Sequence, residues 1–182
     1  MKNEIAAPKT VQVHTSGQFS TFFVADLFFG VDVLHVQEVL RSQQMTAVPQ
    51  APGVIEGLIN LRGQIVTAID MRRRLGLPPR NSEQAPMNIV VRTQDGAVSL
   101  LVDEIGDVLD MDAATYERPP QNLDPAAKDL IRGVYKLKDR LLLVLDEERT
   151  VDLAVGGQLS ANDSPAPSMS REHRFQHSAK AR

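Results

Sequence analysis

The sequence of 182 residues contains no cysteine, and this absence excludes disulfides, thiolate metal sites, iron–sulfur clusters and thiol nucleophiles. It also lacks any apolar run that approaches the roughly 18 residues of a membrane span. Residues 1–10 hold no apolar core of about 7 to 15 residues, so they do not resemble a secretory signal. We therefore expect a chain that does not insert into a membrane and that works in the cytosol.

Sequence motifs that carry catalysis are absent as well. The chain contains no G-x-G-x-x-G, no G-x-x-x-x-G-K-[ST], no G-x-S-x-G and no H-E-x-x-H. Only one histidine, His35, lies in the predicted folded region, where we expect an exposed or hydrogen-bonded surface group; the others are His14, His173 and His177. Because neither a nucleophile with its base nor a metal-ligand set is present, we predict a non-enzymatic protein without metal or cofactor.

The composition, with 42% hydrophobic and 24% charged residues, is typical of a globular protein of one domain or two small ones. Charge is unevenly distributed, because residues 1–154 are net acidic whereas residues 155–182 carry four Lys and Arg against two Asp and Glu. We predict a flexible N-terminus at 1–17, a folded region at 18–155 and a disordered tail at 156–182, which has few apolar side chains to bury. The basic tail could contact an acidic protein or lipid.

Short runs of β-branched and aromatic residues recur along the folded region, separated by Gly, Pro and Asp. Asp95-Gly96, between two such runs, is a strong hairpin signal. The pattern predicts an all-β protein with a few short helices. The predicted strands are 19–24, 29–34, 55–61, 64–69, 88–92, 98–102, 131–137 and 141–145, and the predicted helices are 71–75, 125–130 and 147–154.

The folded region also repeats itself. Residues 55–75 match residues 131–151 at an offset of 76, and residues 30–39 match 96–105 at an offset of 66. Similar strand patterns could imitate a repeat, but apolar positions coincide too, and this favours a duplication into two small β-subdomains. The identical pairs at the first offset are Ile55/Ile131, Gly57/Gly133, Leu61/Leu137, Asp70/Asp146 and Arg73/Arg149.

Two charged clusters allow other interpretations. The carboxylates between 103 and 112 do not match a calcium-binding loop, so we expect a solvated acidic face there. Three consecutive arginines, with the basic tail, leave open an SH3-like or OB-like barrel that binds nucleic acid or acidic partners, although the folded region is acidic and poor in stacking groups. The acidic residues are Asp103, Glu104, Asp107, Asp110 and Asp112, and the arginines are Arg72, Arg73 and Arg74.

The segment 54–77 is more specific than a strand-turn-strand requires. Gly57 lies inside a predicted strand, where glycine indicates a bulge or the close approach of another backbone. Gly63 fits a turn with positive φ. Asn60 and Arg62 share one face of the strand while Leu61 points to the other. Arg62 must face water or find a carboxylate, and Glu38 is the candidate partner if the two strands meet.

At this point the sequence resembles the CheW adaptor proteins of bacterial chemotaxis, over roughly residues 19–153. The most specific block is Gly57-x-x-Asn60-Leu61-Arg62-Gly63, in order after a pair of prolines. The resemblance implies two intertwined five-stranded SH3-like β-barrels with a hydrophobic seam, and an apolar groove between them. The residues that carry it are Phe29-Gly30-Val31-Asp32-Val33, Val36-Gln37-Glu38-Val39, Val48-Pro49-Gln50-Ala51-Pro52, Ile55-Glu56-Gly57-Leu58-Ile59-Asn60-Leu61-Arg62-Gly63, Ile69-Asp70-Met71-Arg72, and Ile131-x-Gly133 with Leu145-Asp146.

The resemblance further implies a function without catalysis. Such an adaptor couples the cytoplasmic tips of chemoreceptors to the regulatory domain of the histidine kinase CheA, in arrays at the membrane, and other CheW copies are a further candidate partner. Carried over to this sequence, the receptor-facing residues are Val36, Glu38, Val39, Gly57, Asn60 and Arg62, with Glu38 and Arg62 as an ion pair. Residues that support the kinase contact are Ile55, Ile59 and Ile65, where interface and core are not separable from sequence.

Overall fold

The computed structural model describes residues 17–153, which form two mixed, mainly antiparallel sheets with three α-helices of about one turn each and a 3-10 helix at Ala113–Thr115. Residues 1–16 and 154–182 lie outside the described residues, and with them all but Gly17 of the predicted N-terminus at 1–17 and the whole predicted tail at 156–182. The strands are β1 (Gly17–Val24), β2 (Leu27–Asp32), β3 (Val36–Leu40), β4 (Ile55–Leu61), β5 (Gln64–Asp70), β6 (Met87–Thr93), β7 (Gly96–Val102), β8 (Glu104–Met111), β9 (Tyr116–Glu117), β10 (Ile131–Lys136) and β11 (Leu141–Leu145), and the helices are α1 (Met71–Arg74), α2 (Pro125–Asp129) and α3 (Glu147–Val151).

The predicted all-β class is confirmed, and all eight predicted strands are present within a few residues of their expected bounds. Three strands were not predicted: β3, β8 and β9. One sheet has the order β3-β6-β7-β5-β4, which gives the five strands expected for a barrel. The other has the order β8-β1-β2-β11-β10-β9 and gains a sixth member from the two-residue β9. We call the five-stranded unit barrel 1 and the six-stranded unit barrel 2.

The two barrels are intertwined because the chain crosses between them twice. Barrel 1 uses the continuous stretch 36–102, whereas barrel 2 combines the N-terminal hairpin 17–32 with residues 104–145. The returning hairpin makes the junction through a parallel pair, Leu143 opposite Phe29. Barrel 1 contains the equivalent parallel pair, Thr67 opposite Val98. The first repeat comprises β1–β5 and the second β6–β11, so each barrel contains strands from both repeats.

The duplication of 55–75 at an offset of 76 is repeated in the backbone geometry. A register shift lies between Ile55 and Gly57 in one hairpin and between Ile131 and Gly133 in the other. Asp70 and Asp146 each begin a short helix, where the carboxylate accepts backbone N–H groups. Such identical local irregularities are not required by strand composition alone, so they support a true internal repeat.

The earlier offset of 66 is wrong. In barrel 1, Val36 on β3 lies opposite Val91 on β6. In barrel 2, Ile105 on β8 lies opposite Phe22 on β1. Ile105 therefore corresponds to Val36, and Val91 to Phe22, each at an offset of 69. The same offset relates Val39, opposite Ile89, to Val108, opposite Ser20. The error arose because Gly30 lies inside a strand whereas Gly96 follows a hairpin turn with positive φ, so their identity is coincidental.

Three apolar clusters hold the fold together. Two fill the barrel interiors, around Ile59 and Val66 in barrel 1 and around Tyr135 and Leu142 in barrel 2. The third and largest is the seam between the barrels, with fully buried side chains from both sheets such as Phe22, Phe29, Ile89, Leu100, Ile131 and Leu145. Burial of apolar surface at about 25 cal/mol per Å² makes this seam a major source of stability.

Each chain crossing is held by a buried carboxylate. At the second crossing, Asp103 accepts hydrogen bonds from Arg72 Nε at 2.9 Å, from Arg80 Nε at 3.3 Å and from the Ala25 backbone N–H at 2.6 Å. Arg80 also pairs with the N-cap residue Asp70 at 3.0 Å. Because Ala25 belongs to barrel 2 and both arginines to barrel 1, this carboxylate joins the two units.

The first crossing has a related arrangement. His35 Nδ1 lies 3.0 Å from Glu147 Oε1, and Arg132 donates to the same carboxylate at 3.1 Å. Glu147 is buried, whereas His35 is partly exposed. The expectation that His35 is a hydrogen-bonded surface group is confirmed, and its partner lies on α3 at the far end of the described chain.

The Asp103 cluster yields a stability prediction. Burial raises the pKa of Asp103, but the hydrogen bonds from Arg72, Ala25 and Arg80 outweigh it, so the pKa lies below the ordinary value. Asp103→Asn leaves two largely buried guanidinium groups short of a partner, and we expect the free energy of unfolding at pH 7 to fall by about 3 kcal/mol. Urea denaturation measures this loss, with Asp110→Asn as the exposed control.

The same cluster predicts a pH dependence. A carboxylate whose folded-state pKa is lowered contributes its stability above its ordinary pKa and loses it as the pH falls through the folded-state pKa. The difference between wild type and Asp103→Asn should therefore be constant near neutral pH and shrink only below about pH 4. A difference that already shrinks between pH 7 and 5 contradicts this assignment.

Candidate functional site

Glu38 and Arg62 are brought together where barrel 1 closes. Glu38 lies on β3 and Arg62 in the turn directly after β4, and these two strands are the edges of the five-stranded sheet. Arg62 Nη2 donates to Glu38 Oε2 at 3.3 Å, with Arg62 85% exposed and Glu38 largely buried. The predicted pairing of these two side chains is thus present in the structure, and it links the edges of the barrel on a surface open to a partner.

The turn that carries Arg62 explains why Asn60 and Gly63 flank it. Arg62 and Gly63 have φ of 53° and 90°, which suits a two-residue hairpin with both central residues in the left-handed region. Asn60 Oδ1 accepts a hydrogen bond from the Gly63 N–H at 2.8 Å and so fixes this turn. As expected, Asn60 and Arg62 are exposed while Leu61 between them is buried.

Val36 and Val39 lie on β3 beside Glu38. Val36 is partly buried and packs against the seam, whereas Val39 is 41% exposed. Of the receptor-facing residues implied by the resemblance, the exposed surface therefore contains Val39, Asn60 and Arg62, with Glu38 just beneath. We call this set the β3–β4 surface.

Gly57 does not belong to that exposed surface, because it is buried under the chain's own segment 45–46. A Cβ built on Gly57 would lie 2.7 Å from the Thr46 carbonyl oxygen. Thr46 and Leu58 exchange backbone hydrogen bonds of 2.9 and 2.8 Å directly beside it. The predicted need for close backbone approach and a bulge is met, and the approaching backbone is that of this protein.

The three isoleucines assigned to the kinase contact differ in their surroundings. Ile59 is 1% exposed in the core of barrel 1, so it can support a surface only from within. Ile55 is partly buried, and Ile65 on β5 is 60% exposed. The structure thus separates core from surface, and only Ile65 offers a large apolar contact area.

The seam between the barrels is filled by its own side chains, and the apolar groove that the resemblance implies stays a prediction. One cavity lies along the first crossing, at His35, and is lined mainly by charged groups, including Arg92, Arg132, Glu147 and Glu148. Exposed apolar side chains such as Val39 and Ile65 offer contact area for a partner on the outer surface.

The three arginines 72–74 are each used within the protein. Arg72 pairs with Asp103 at 2.9 Å, and Arg73 with Glu56 at 2.8 Å. Arg74 donates to the carbonyl oxygens of Arg149, Thr150 and Asp152 at the end of α3. These three arginines therefore do not form a free basic patch for nucleic acid. The expectation of a solvated acidic face is wrong for Asp103, which is buried.

Sequence reasoning missed a second surface that the duplication creates on barrel 2. Asp107 and Val108 lie at the offset of 69 from Glu38 and Val39, and Lys138 and Leu141 lie at the offset of 76 from Arg62 and Ile65. Val108 is 56% exposed, and Leu141 is exposed too. The internal repeat could have indicated this surface, but Asp107 and Val108 correspond to Glu38 and Val39 only at the offset of 69.

Membrane-spanning helices and metal sites are absent from residues 17–153. No helix in this part of the chain is both long and apolar enough to cross a membrane. In the same residues, no group of three or more His, Asp and Glu side chains has the arrangement of a metal site.

Comparisons with known proteins agree with one another. The profile of the CheW-like domain family matches residues 18–155. The chain is similar to the chemotaxis protein CheW of Bacillus subtilis, with 29% identity covering 79% of this chain and 92% of the relative, and to that of Klebsiella aerogenes, with 31% identity covering 74% and 82%. The crystal structure of the scaffolding protein TtCheW from Thermoanaerobacter tengcongensis superposes with a TM-score of 0.65 at 29% identity, covering 72% of this chain and 90% of that one.

The site geometry predicts a contrast between two glycines. Gly57→Ala forces a methyl group against the Thr46 carbonyl, and we expect the free energy of unfolding to fall by about 1–3 kcal/mol. Gly53→Ala is the matched control, because a Cβ there meets nothing within 4 Å, and it should change stability by less than about 0.5 kcal/mol. Chemical denaturation measures both. Equal effects of the two substitutions would show that segment 45–46 yields freely.

Proposed function

Because the chain belongs to the CheW-like domain family, whose members are scaffolding adaptors of bacterial chemotaxis, we propose that it couples the cytoplasmic tips of chemoreceptors to the histidine kinase CheA. The proposed partners are the receptor signalling tip and the regulatory domain of the kinase. In this proposal the chain performs no reaction itself and is recruited to arrays on the cytoplasmic side of the membrane. Other copies of the adaptor are a further candidate partner.

The Glu38–Arg62 pair is the observation that carries the receptor side of the proposal. An exposed guanidinium held by a carboxylate at 3.3 Å keeps its remaining N–H groups available to a polar partner. Val39 beside the pair supplies apolar contact area. A helix of amphipathic character, such as one helix of a receptor hairpin, can place its apolar stripe on Val39 and its polar edge on Arg62.

The kinase side rests on the outer face of β5. Ile65 is 60% exposed, and an isolated aliphatic side chain of this size gains affinity when a partner covers it. Ile59 lies beneath the hairpin in the core and holds it in place. Because Ile65 and Arg62 lie on the same hairpin, the two partners would contact neighbouring parts of one rigid element.

The receptor contact is tested by charge exchange. Glu38→Arg should weaken the binding of a receptor signalling fragment, since it places two cations together, and the double variant Glu38→Arg/Arg62→Glu should recover part of the loss. The matched control is Glu117→Arg, which breaks the exposed Lys136–Glu117 pair of 2.7 Å on barrel 2. Calorimetric titration measures the affinities. The assignment is wrong if all three variants bind the fragment as tightly as wild type does.

The kinase contact is tested separately. Ile65→Asp should weaken binding of the CheA regulatory domain by about tenfold or more, since loss of one buried aliphatic contact and burial of a charge cost over 1.4 kcal/mol. Receptor binding should be retained. Leu34→Asp, at an exposed leucine in the turn after β2, is the control that should bind the kinase normally. Unchanged kinase affinity of Ile65→Asp would refute this part of the proposal.

A further inference from the structure

The outer strand of barrel 2, β8, has an unpaired edge. It lies at the end of its sheet and pairs along one side with β1. Within residues 17–153, no backbone hydrogen bond extends from its other side to another strand. An unpaired edge presents N–H and C=O groups that can accept an additional strand.

This edge carries negative charge that the rest of the described chain does not neutralise. Glu104, Asp107 and Asp110 are exposed along β8, and none of them forms an ion pair within residues 17–153. The only side-chain bond among them is donated by Gln18 to Asp110 at 2.9 Å. Val108, between the carboxylates, is 56% exposed. The edge therefore favours an occupant that is cationic and extended.

The chain itself contains a segment of this chemistry. All four Lys and Arg residues of 154–182 lie within 171–182, and this segment contains one acidic residue, Glu172. Arg174, Lys180 and Arg182 are six and two positions apart, and even spacings put side chains on one side of an extended backbone. Their charge is complementary to that of β8.

The length of chain between the two is sufficient. The described chain ends at Leu153, and residues 154–170 separate it from Arg171. These 17 residues span up to roughly 60 Å when extended. The radius of gyration of a folded body of this size is only about 14 Å, so β8 is within reach. Tethering of this kind gives the segment an effective concentration on the order of millimolar.

A second copy of the chain is a poorer occupant. Two β8 edges that paired with each other would bring carboxylates opposite carboxylates, and like charges in cross-strand positions are destabilising. The same repulsion applies to any other acidic strand.

We propose that residues 171–182 bind along the outer edge of β8 in the same molecule, as an added strand that covers Val108. Asp107 and Val108 are the barrel 2 counterparts of Glu38 and Val39, so the bound segment masks one of the two related surfaces and leaves the β3–β4 surface open. The proposal goes beyond the coupling function and does not depend on it.

The absence of cysteine provides a direct test on the full chain. Ser178→Cys introduces a single thiol for a nitroxide spin label, and relaxation enhancement is then measured on the amide resonances of the isotope-labelled protein. We expect residues 104–111 to lose most of their intensity and residues 64–70 on barrel 1 to keep theirs. The effect should weaken at about 0.5 M salt, where the Debye length falls to about 4 Å.

Charge variants and mixing experiments complete the test. The additional change Arg174→Glu/Lys180→Glu/Arg182→Glu should abolish the local broadening, and Glu104→Lys/Asp107→Lys/Asp110→Lys in the same chain should restore it. Broadening that is absent, uniform or centred on another strand overturns the proposal, as does broadening that survives reversal of the segment's charge. Broadening seen only between spin-labelled and isotope-labelled molecules in a mixed sample assigns the occupant to a second copy and also overturns it.

Discussion

The connectivity of both barrels is determined by two parallel pairings, of β2 with β11 and of β5 with β7. Parallel neighbours cannot be joined by a tight turn. In barrel 1, α1 and β6 make the connection within the same barrel, whereas in barrel 2 the chain leaves after β2, forms barrel 1 and returns at β8. That excursion sends the N-terminal hairpin into the barrel built by the C-terminal strands. Neither half of the sequence can complete a barrel alone, and the seam between them becomes the largest buried cluster.

The surface proposed for partners follows from how each barrel closes. The sheet of each barrel has two edge strands, and an exposed edge promotes aggregation unless other residues cover it or place charge on it. In barrel 1 the edges are joined by Glu38 and Arg62, and the segment at Thr46 covers β4 above Gly57. In barrel 2 the two-residue β9 covers the side of β10 at Gly133, with Tyr116 and Glu117 above the glycine. The same positions that close the barrels therefore present charge and small apolar patches to the outside.

The buried carboxylates and the apolar seam have different roles in the fold. Glu147 and Asp103 lie at the two crossings, each held by an arginine and by a second donor. A buried ion pair adds little net stability compared with an apolar pair, but removal of one partner is costly. These clusters are thus best understood as fixing which way the chain crosses between the barrels, while the apolar seam supplies the stability.

Sequence reasoning predicted the elements that depend on local signals. The hairpin at Asp95-Gly96, the turn at Gly63 and the helices begun by Asp70 and Asp146 each follow from the residues at the turn or cap. The Glu38–Arg62 pair was also predicted, although only as one of two interpretations. Strands β3 and β8 were missed because they are edge strands in which carboxylates interrupt the apolar pattern, and β8 also contains Gly106, which is a poor strand former.

What could not be predicted depends on tertiary contacts. Nothing local shows that Asp103 is buried between two arginines, or that the backbone near Gly57 is that of Thr46. The offset of 69 relates β1–β3 to β6–β8, and it can be recognised only from the register of the paired strands. Burial also had to separate Ile59 from Ile65, since both fit an apolar strand.

The central claim is that one rigid fold holds two different partners at the same time. The most direct test is a calorimetric titration of the CheA regulatory domain into the adaptor, first alone and then saturated with a receptor signalling fragment. We expect the kinase to bind with equal or greater affinity when the receptor fragment is present. Loss of kinase binding to the saturated adaptor would show that the two partners compete for one surface and would contradict the account.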